Sequence, residues 1–218
     1  MKRFLVFVLS IVLACNTFAA DFDSLWSSWN DISRHDTDRM NALYYISRDV
    51  YLDTHPDSAR YYAEMEFQFA KELGNAKFMA EALSLIGSSY KIMGVYDKAI
   101  EAYLESIDLN KKTGNKYYII GSFNGLGNVY LSMDDYVSAM KQYQYALEVI
   151  EDIETLVGKG GVLNNIGEIY RETGDHQQAL VYYTKSYNLH KKLEEYSGMA
   201  TALLNIGEVH KVEKNYQD

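Results

Sequence analysis

The sequence predicts an all-α fold, a solenoid of about nine to eleven helices stacked as antiparallel pairs. Three observations carry this. One glycine-centred phrase recurs at a fixed step of forty residues: "LSLIGSSY" from Leu83, "FNGLGNVY" from Phe123, "LNNIGEIY" from Leu163 and "LLNIGEVH" from Leu203. Apolar and small residues within each unit are spaced by 3, 4 and 7, a helical period. Proline occurs once in 218 residues, so little interrupts helices. One such unit cannot bury its own apolar face, whereas several stacked units can.

Residues 1–20 read as a targeting segment. "MKR" is a short basic start, and the apolar run Phe4 to Ala14 is too short to span a bilayer comfortably. Cleavage after Ala19 puts Thr17 and Ala19 at the two small-residue positions. "VLAC" offers a second reading, acylation of Cys15 after cleavage, although such a box usually prefers leucine where Val12 stands. An uncleaved anchor is the third. All three place the mature chain outside the cytoplasm, in the periplasm or facing it from a membrane. Cys15 is the only cysteine, so the folded part has no disulfide, thiolate metal site or cysteine nucleophile.

Residues 21–38 predict a capping helix, with Phe22, Leu25, Trp26, Trp29 and Ile32 on one face and Asp23 or Ser24 as N-cap. Residues 39–76 read as a degenerate unit: Leu43, Ile46 and Ala59 keep the register, Ser47 replaces the glycine, and Pro56 opens the second helix. Full units follow at 77–116, 117–156 and 157–196. In these, Gly87, Gly127 and Gly167 mark where the two helices cross closely. Gly94, Asp134, Gly174 and Lys214 form the turn column, followed by Ala99, Ala139, Ala179 and then Tyr103, Tyr143, Tyr183. The 20 tyrosines are thereby given a role, packing by their rings with hydroxyls at the surface. Residues 197–218 form a partial unit. Two readings compete here: a C-terminal cap, which should show a polar outer face, and the front of a longer protein, which is favoured because Leu203, Ile206 and Val209 keep full register and Val212 and Tyr216 extend the apolar side.

The columns match the pattern W-x2-L-G-x2-Y…A-x3-F. "LSLIGSSYKIMGVYDKAIEAY", "FNGLGNVYLSMDDYVSAMKQY" and "LNNIGEIYRETGDHQQALVYY" resemble the tetratricopeptide repeat family over residues 40 to 218. The step of forty exceeds the family's usual 34, and the closing proline is absent. The resemblance implies a right-handed α-α superhelix whose first helices line a concave groove. Groove positions map to Ser84, Ser88 and Lys91, then Asn124, Asn128 and Leu131. They continue as Asn164, Asn165, Glu168 and Arg171, then Asn205, Glu208 and Lys211. Asparagine carries donors and an acceptor, so it can bond an extended peptide backbone in both directions. The alternative is that these amides bond across neighbouring helices and only set the superhelix. On the peptide reading, removing Asn128 and Asn165 weakens ligand binding and leaves stability nearly unchanged.

No catalytic constellation is visible, and no cofactor or metal is predicted. His35, His55, His176, His190 and His210 form no ligand-spaced pair. "GKGG" at Gly158 lacks the phosphate-loop frame and falls where repeats join, which makes it a turn. Glu168 with Arg171 and Glu208 with Lys211 are surface pairs at i,i+3. The net charge of −9 argues against nucleic acid as a partner.

These features imply a protein- or peptide-binding scaffold without catalysis of its own. A leader, a capping helix and long repeats together resemble the N-terminal sensory region of bacterial signalling proteins, where a membrane span and a histidine kinase or nucleotide cyclase follow. Two other readings stand beside it: a free periplasmic or lipid-anchored assembly scaffold, and a cytosolic peptide-responsive regulator.

Overall fold

A computed structural model describes residues 22–215, and all its regular elements are helical. The leader, Cys15 and the last three residues, including Tyr216, lie outside the described residues. α1 covers 22–30. α2 (Asp36–Tyr45) closes in a π-helical turn, Ile46–Tyr51. Then come α3 (Pro56–Glu72), α4 (Ala76–Ile92) and α5 (Tyr96–Thr113). α6 (Lys116–Ser132), α7 (Tyr136–Asp152), α8 (Lys159–Glu172), α9 (His176–Lys192) and α10 (Tyr196–Asn215) complete the order. The described residues fall into two compact units, divided between Leu109 and Asn110.

The turns share one device. At a step of twenty, Gly74, Gly94, Gly114, Asp134, Glu154, Gly174 and Glu194 all take positive φ. Each lets the next N–H reach back to the carbonyl five residues earlier, as in Asn75 to Ala70 (2.8 Å) and Asp175 to Tyr170 (2.8 Å). Three of these left-handed positions carry side chains that disfavour the conformation. The following residue often caps the next helix: Asp135 accepts from the Ser138 N–H and Asp175 from the Gln178 N–H. Lys214 departs from the predicted turn column, because α10 runs unbroken to Asn215.

In the first unit, α1 is shorter than the capping helix expected over 21–38. It is already helical at Phe22, so Asp23 and Ser24 lie inside its first turn rather than capping it. Ile32 falls in the following turn and is 86% exposed. The rest of the apolar face is used. Phe22 stacks on Trp26 and both meet Tyr62 edge-on, while Trp29 meets Phe69 edge-on at 5.1 Å. Arg39 lies over Trp29 and Phe69 and donates to the Trp29 carbonyl at 3.0 Å.

The degenerate repeat is internally consistent. Ser47, in the glycine column, is fully buried and donates to the Ala59 carbonyl at 2.8 Å. Ala63 occupies the tyrosine column and is likewise fully buried, so a larger residue on one helix is offset by a smaller one on the other. Glu66 is 0% exposed and neither carboxyl oxygen has a hydrogen-bond partner. Burial, reinforced by the nearby Glu81 charge, pushes its pKa well above the usual carboxylate range.

The regular repeats show why glycine recurs. A Cβ on Gly87 would lie 2.9 Å from the Tyr103 ring, and one on Gly167 would lie 2.8 Å from the Tyr183 ring. Gly127 faces Tyr143 more closely still. Ala99, Ala139 and Ala179 are fully buried one turn before each tyrosine. Ser106 and Ser186 tie second helix to first, donating to the Ala80 carbonyl (2.7 Å) and the Gly160 carbonyl (2.8 Å). "GKGG" divides between turn and helix. Gly158 is left-handed and precedes α8, whereas Gly160 lies inside α8 against the His190 ring.

Candidate functional site

In the second unit, α8 packs between α6 and α10. Their adjoining faces carry Asn124, Asn128, Asn164, Asn165 and Asn205, all half-buried. The structure joins them as a ladder of two separate sets, Asn124, Asn128 and Asn165 between α6 and α8, and Asn164 with Asn205 between α8 and α10. Asn165 donates from Nδ2 to Oδ1 of both Asn124 and Asn128, each at 2.9 Å. Asn205 donates to Asn164 Oδ1 at 3.0 Å. The cross-helix bonds of the alternative reading are therefore present. Removing Asn165 cuts both α6–α8 bonds, so the expectation of nearly unchanged stability is corrected: neutral hydrogen bonds contribute about 0.5–1.5 kcal/mol each.

The second helices reach into the same surface, which sequence reasoning missed. Tyr143 donates to Asn128 Oδ1 at 2.7 Å, and Tyr183 donates to Glu168 Oε2 at 2.7 Å. In the first unit the equivalent Tyr103 hydroxyl pairs with Ser88 at 2.7 Å. The hydroxyls of these three tyrosines are therefore not simply left at the surface. The signal was present: the residue after each column glycine is polar, and fifteen positions later stands the tyrosine.

The electrostatics keep these donors intact. Burial, then the Glu168 carboxylate, pushes the Tyr143 phenol up. Tyr183 is raised by burial first and then by its bond to Glu168. Burial disfavours the Glu168 charge, but hydrogen bonds from Arg171 and Tyr183 outweigh it and hold the carboxyl below its usual range. Arg171 bonds Glu168 and Glu172 together, so the predicted pair is present as a small network.

The other expected positions differ. Ser84 turns toward α5, pairing with the buried Ser106 hydroxyl at 2.9 Å. Ser88 also donates to the Ser84 carbonyl at 3.0 Å. Lys91 and Leu131 are half-buried, while Glu208 and Lys211 are exposed on α10. What the second unit offers a ligand is the unspent half of the ladder. Asn165 Oδ1, Asn205 Oδ1 and the Nδ2 groups of Asn124, Asn128 and Asn164 bond nothing among the described residues. That arrangement can hold an extended backbone by hydrogen bonds. No group of three His, Cys, Asp or Glu side chains among the described residues could hold a metal ion. No described helix is long and apolar enough to cross a membrane.

The family model for the tetratricopeptide repeat matches residues 78–152 and 160–218. No significant match to a curated protein sequence was found. Solved structures resemble the chain at low identity. BtubC from P. vanneervenii aligns with a TM-score of 0.73 at 19% identity, over 92% of this chain and 85% of that one. A Rap protein complexed with competence and sporulation factor gives 0.75 at 12%, over 94% of this chain and 61% of that one. PlcR from Bacillus thuringiensis, in complex with the peptide PapR7 and DNA, gives 0.70 at 12%, over 92% and 74%.

Proposed function

The chain belongs to the tetratricopeptide repeat family, and from that premise we propose that it is a non-catalytic scaffold holding an extended peptide against α6, α8 and α10. The asparagine ladder carries this reading. Five half-buried amides stand on adjoining helices, their mutual bonds fix their rotamers, and their remaining donors and acceptors face solvent. A ligand then meets a prearranged surface, which reduces the ordering cost of binding. An amide reads backbone N–H and C=O alike, so affinity depends little on the peptide's side chains. The PlcR structure in complex with the peptide PapR7, and the Rap structure with competence and sporulation factor, support the reading by analogy of fold.

On this proposal the scaffold is the extracytoplasmic sensory or interaction region of a larger bacterial signalling protein, with a histidine kinase or nucleotide cyclase as output. The basic, apolar and small-residue order of residues 1–20 supports export. The PlcR complex with the peptide PapR7 and DNA supports a second reading, a cytosolic peptide-responsive regulator. Fractionation of cells expressing the chain separates the two: recovery with the periplasm or membranes keeps the first, and recovery with the cytosol selects the second.

The groove is tested by selecting peptides from a displayed random library on the full chain and titrating one into ¹⁵N-labelled protein. The side-chain amide resonances of Asn124, Asn128, Asn164, Asn165 and Asn205 are expected to move together. Shifts confined to α7 and α9, or a library that yields no binder, would reject the ladder as the site.

A further inference from the structure

A recess of about 650 Å³ opens on one face of α3, in the first unit, which holds none of the ladder asparagines. Tyr61, Gln68 and Glu72 line it at spacings of seven and four, so they form one stripe along the helix. Trp29, Phe69 and Arg39 adjoin them. The two rings meet edge-on at 5.1 Å, and the Arg39 guanidinium lies over both. Arg39 is held in place. It donates from Nε to the Trp29 carbonyl at 3.0 Å and from Nη1 to Asp36 Oδ1 at 3.3 Å, and its side chain is 16% exposed. Glu64, also in the lining, accepts from Arg60 at 2.5 Å. The remaining polar groups are unspent: Arg39 Nη2, the Gln68 amide, the Glu72 carboxylate and the Tyr61 hydroxyl bond nothing among the described residues.

This lining selects by exclusion. An anion meets the carboxylates of Glu64 and Glu72, and a cation meets Arg39. A wholly apolar molecule would strip water from Arg39, Gln68 and Glu72 without replacing its bonds. A neutral molecule with an apolar face and a rim of hydroxyls suits every group. We propose that the recess binds a small neutral saccharide. One face of a pyranose ring presents C–H groups, which stack on the electron-rich face of an aromatic ring such as Tyr61, 57% exposed. Each sugar hydroxyl both donates and accepts. Neighbouring hydroxyls therefore match planar side chains that offer paired donors (Arg39), paired acceptors (Glu72) or one of each (Gln68). The volume lies within the range of small-molecule sites.

The test is titration calorimetry on the full chain with cellobiose, maltose, melibiose and N,N′-diacetylchitobiose. Saturable binding of at least one is expected. Tyr61→Ala and Glu72→Ala should each weaken that sugar about tenfold, the first by removing the stacking ring and the second by removing the paired acceptors. Both side chains are exposed, so both variants should keep the parent's thermal midpoint. Failure of all the sugars to bind would overturn the proposal, as would equal affinity for the parent and Tyr61→Ala. Binding of tetramethylammonium that is lost in Glu72→Ala, without binding of any sugar, would also overturn it by making an organic cation the occupant.

Discussion

Tyr143 donates its phenolic hydrogen to Asn128 Oδ1 at 2.7 Å, onto the oxygen that Asn165 also bonds at 2.9 Å. A second-helix core residue thus fixes a first-helix groove residue, and packing and site become one arrangement. Tyr143→Phe should retain the ring over Gly127 while losing one neutral hydrogen bond. The expected loss is about 0.5–1.5 kcal/mol in urea unfolding. Tyr143→Ala should cost several times more, about 3–5 kcal/mol, by removing a fully buried ring. Equal losses for the two variants would show that the ring contributes little.

The glycine column predicts opposite outcomes at two positions forty residues apart. Gly167→Ala drives a Cβ to 2.8 Å from the Tyr183 ring, so either the ring or α8 must shift. A loss of about 1–3 kcal/mol is expected from overpacking. A Cβ on Gly207 meets nothing within 4 Å among the described residues, and alanine is the better helix former by about 0.8–1.0 kcal/mol. Circular dichroism melts of the two variants should move in opposite directions. A fall for both would mean that the Gly207 face of α10 is covered in solution.

Much of this was legible because a repeat reports its own geometry. Gly87, Gly127 and Gly167 sit where nothing larger fits, so recurrence alone marked the crossing, and the helix pairs followed. The turns were only half legible. Register placed Asp134 in the turn column, but Glu154 and Glu194 take the same left-handed backbone as Gly94 and Gly174, and their identities give no sign of it. The groove asparagines were found as a column, but partner choice was not: a half-buried amide reads the same whether it bonds a ligand or another amide. Glu66 was invisible, because it replaces the Ser106 and Ser186 column in the one repeat whose register is degenerate.

The turn device yields a stabilising substitution. Glu194 holds φ 58° between α9 and α10, and glycine takes that conformation without a Cβ penalty. Glu194→Gly should stabilise the fold by up to about 1 kcal/mol, the lower end of the left-handed cost. Asp134→Gly should gain less, since aspartate tolerates the region better. Urea midpoints measure both. A loss at Glu194 would mean that its side chain makes a compensating contact.

Glu66 predicts a pH dependence of definite sign. Burial first, and the Glu81 charge second, raise its folded-state pKa well above that of the unfolded chain, about 4.3. Below that value both states hold the proton and Glu66 carries no charge penalty. As pH rises, the unfolded chain releases the proton first, so stability falls until the folded-state pKa is passed and then levels off. Glu66→Gln cannot ionise and should lack this component. Its urea midpoint should exceed that of the parent near neutral pH, and the gap should close as pH falls toward 4. A gap independent of pH would show that Glu66 is not the titrating group, and that its two unpartnered oxygens are satisfied by water in solution.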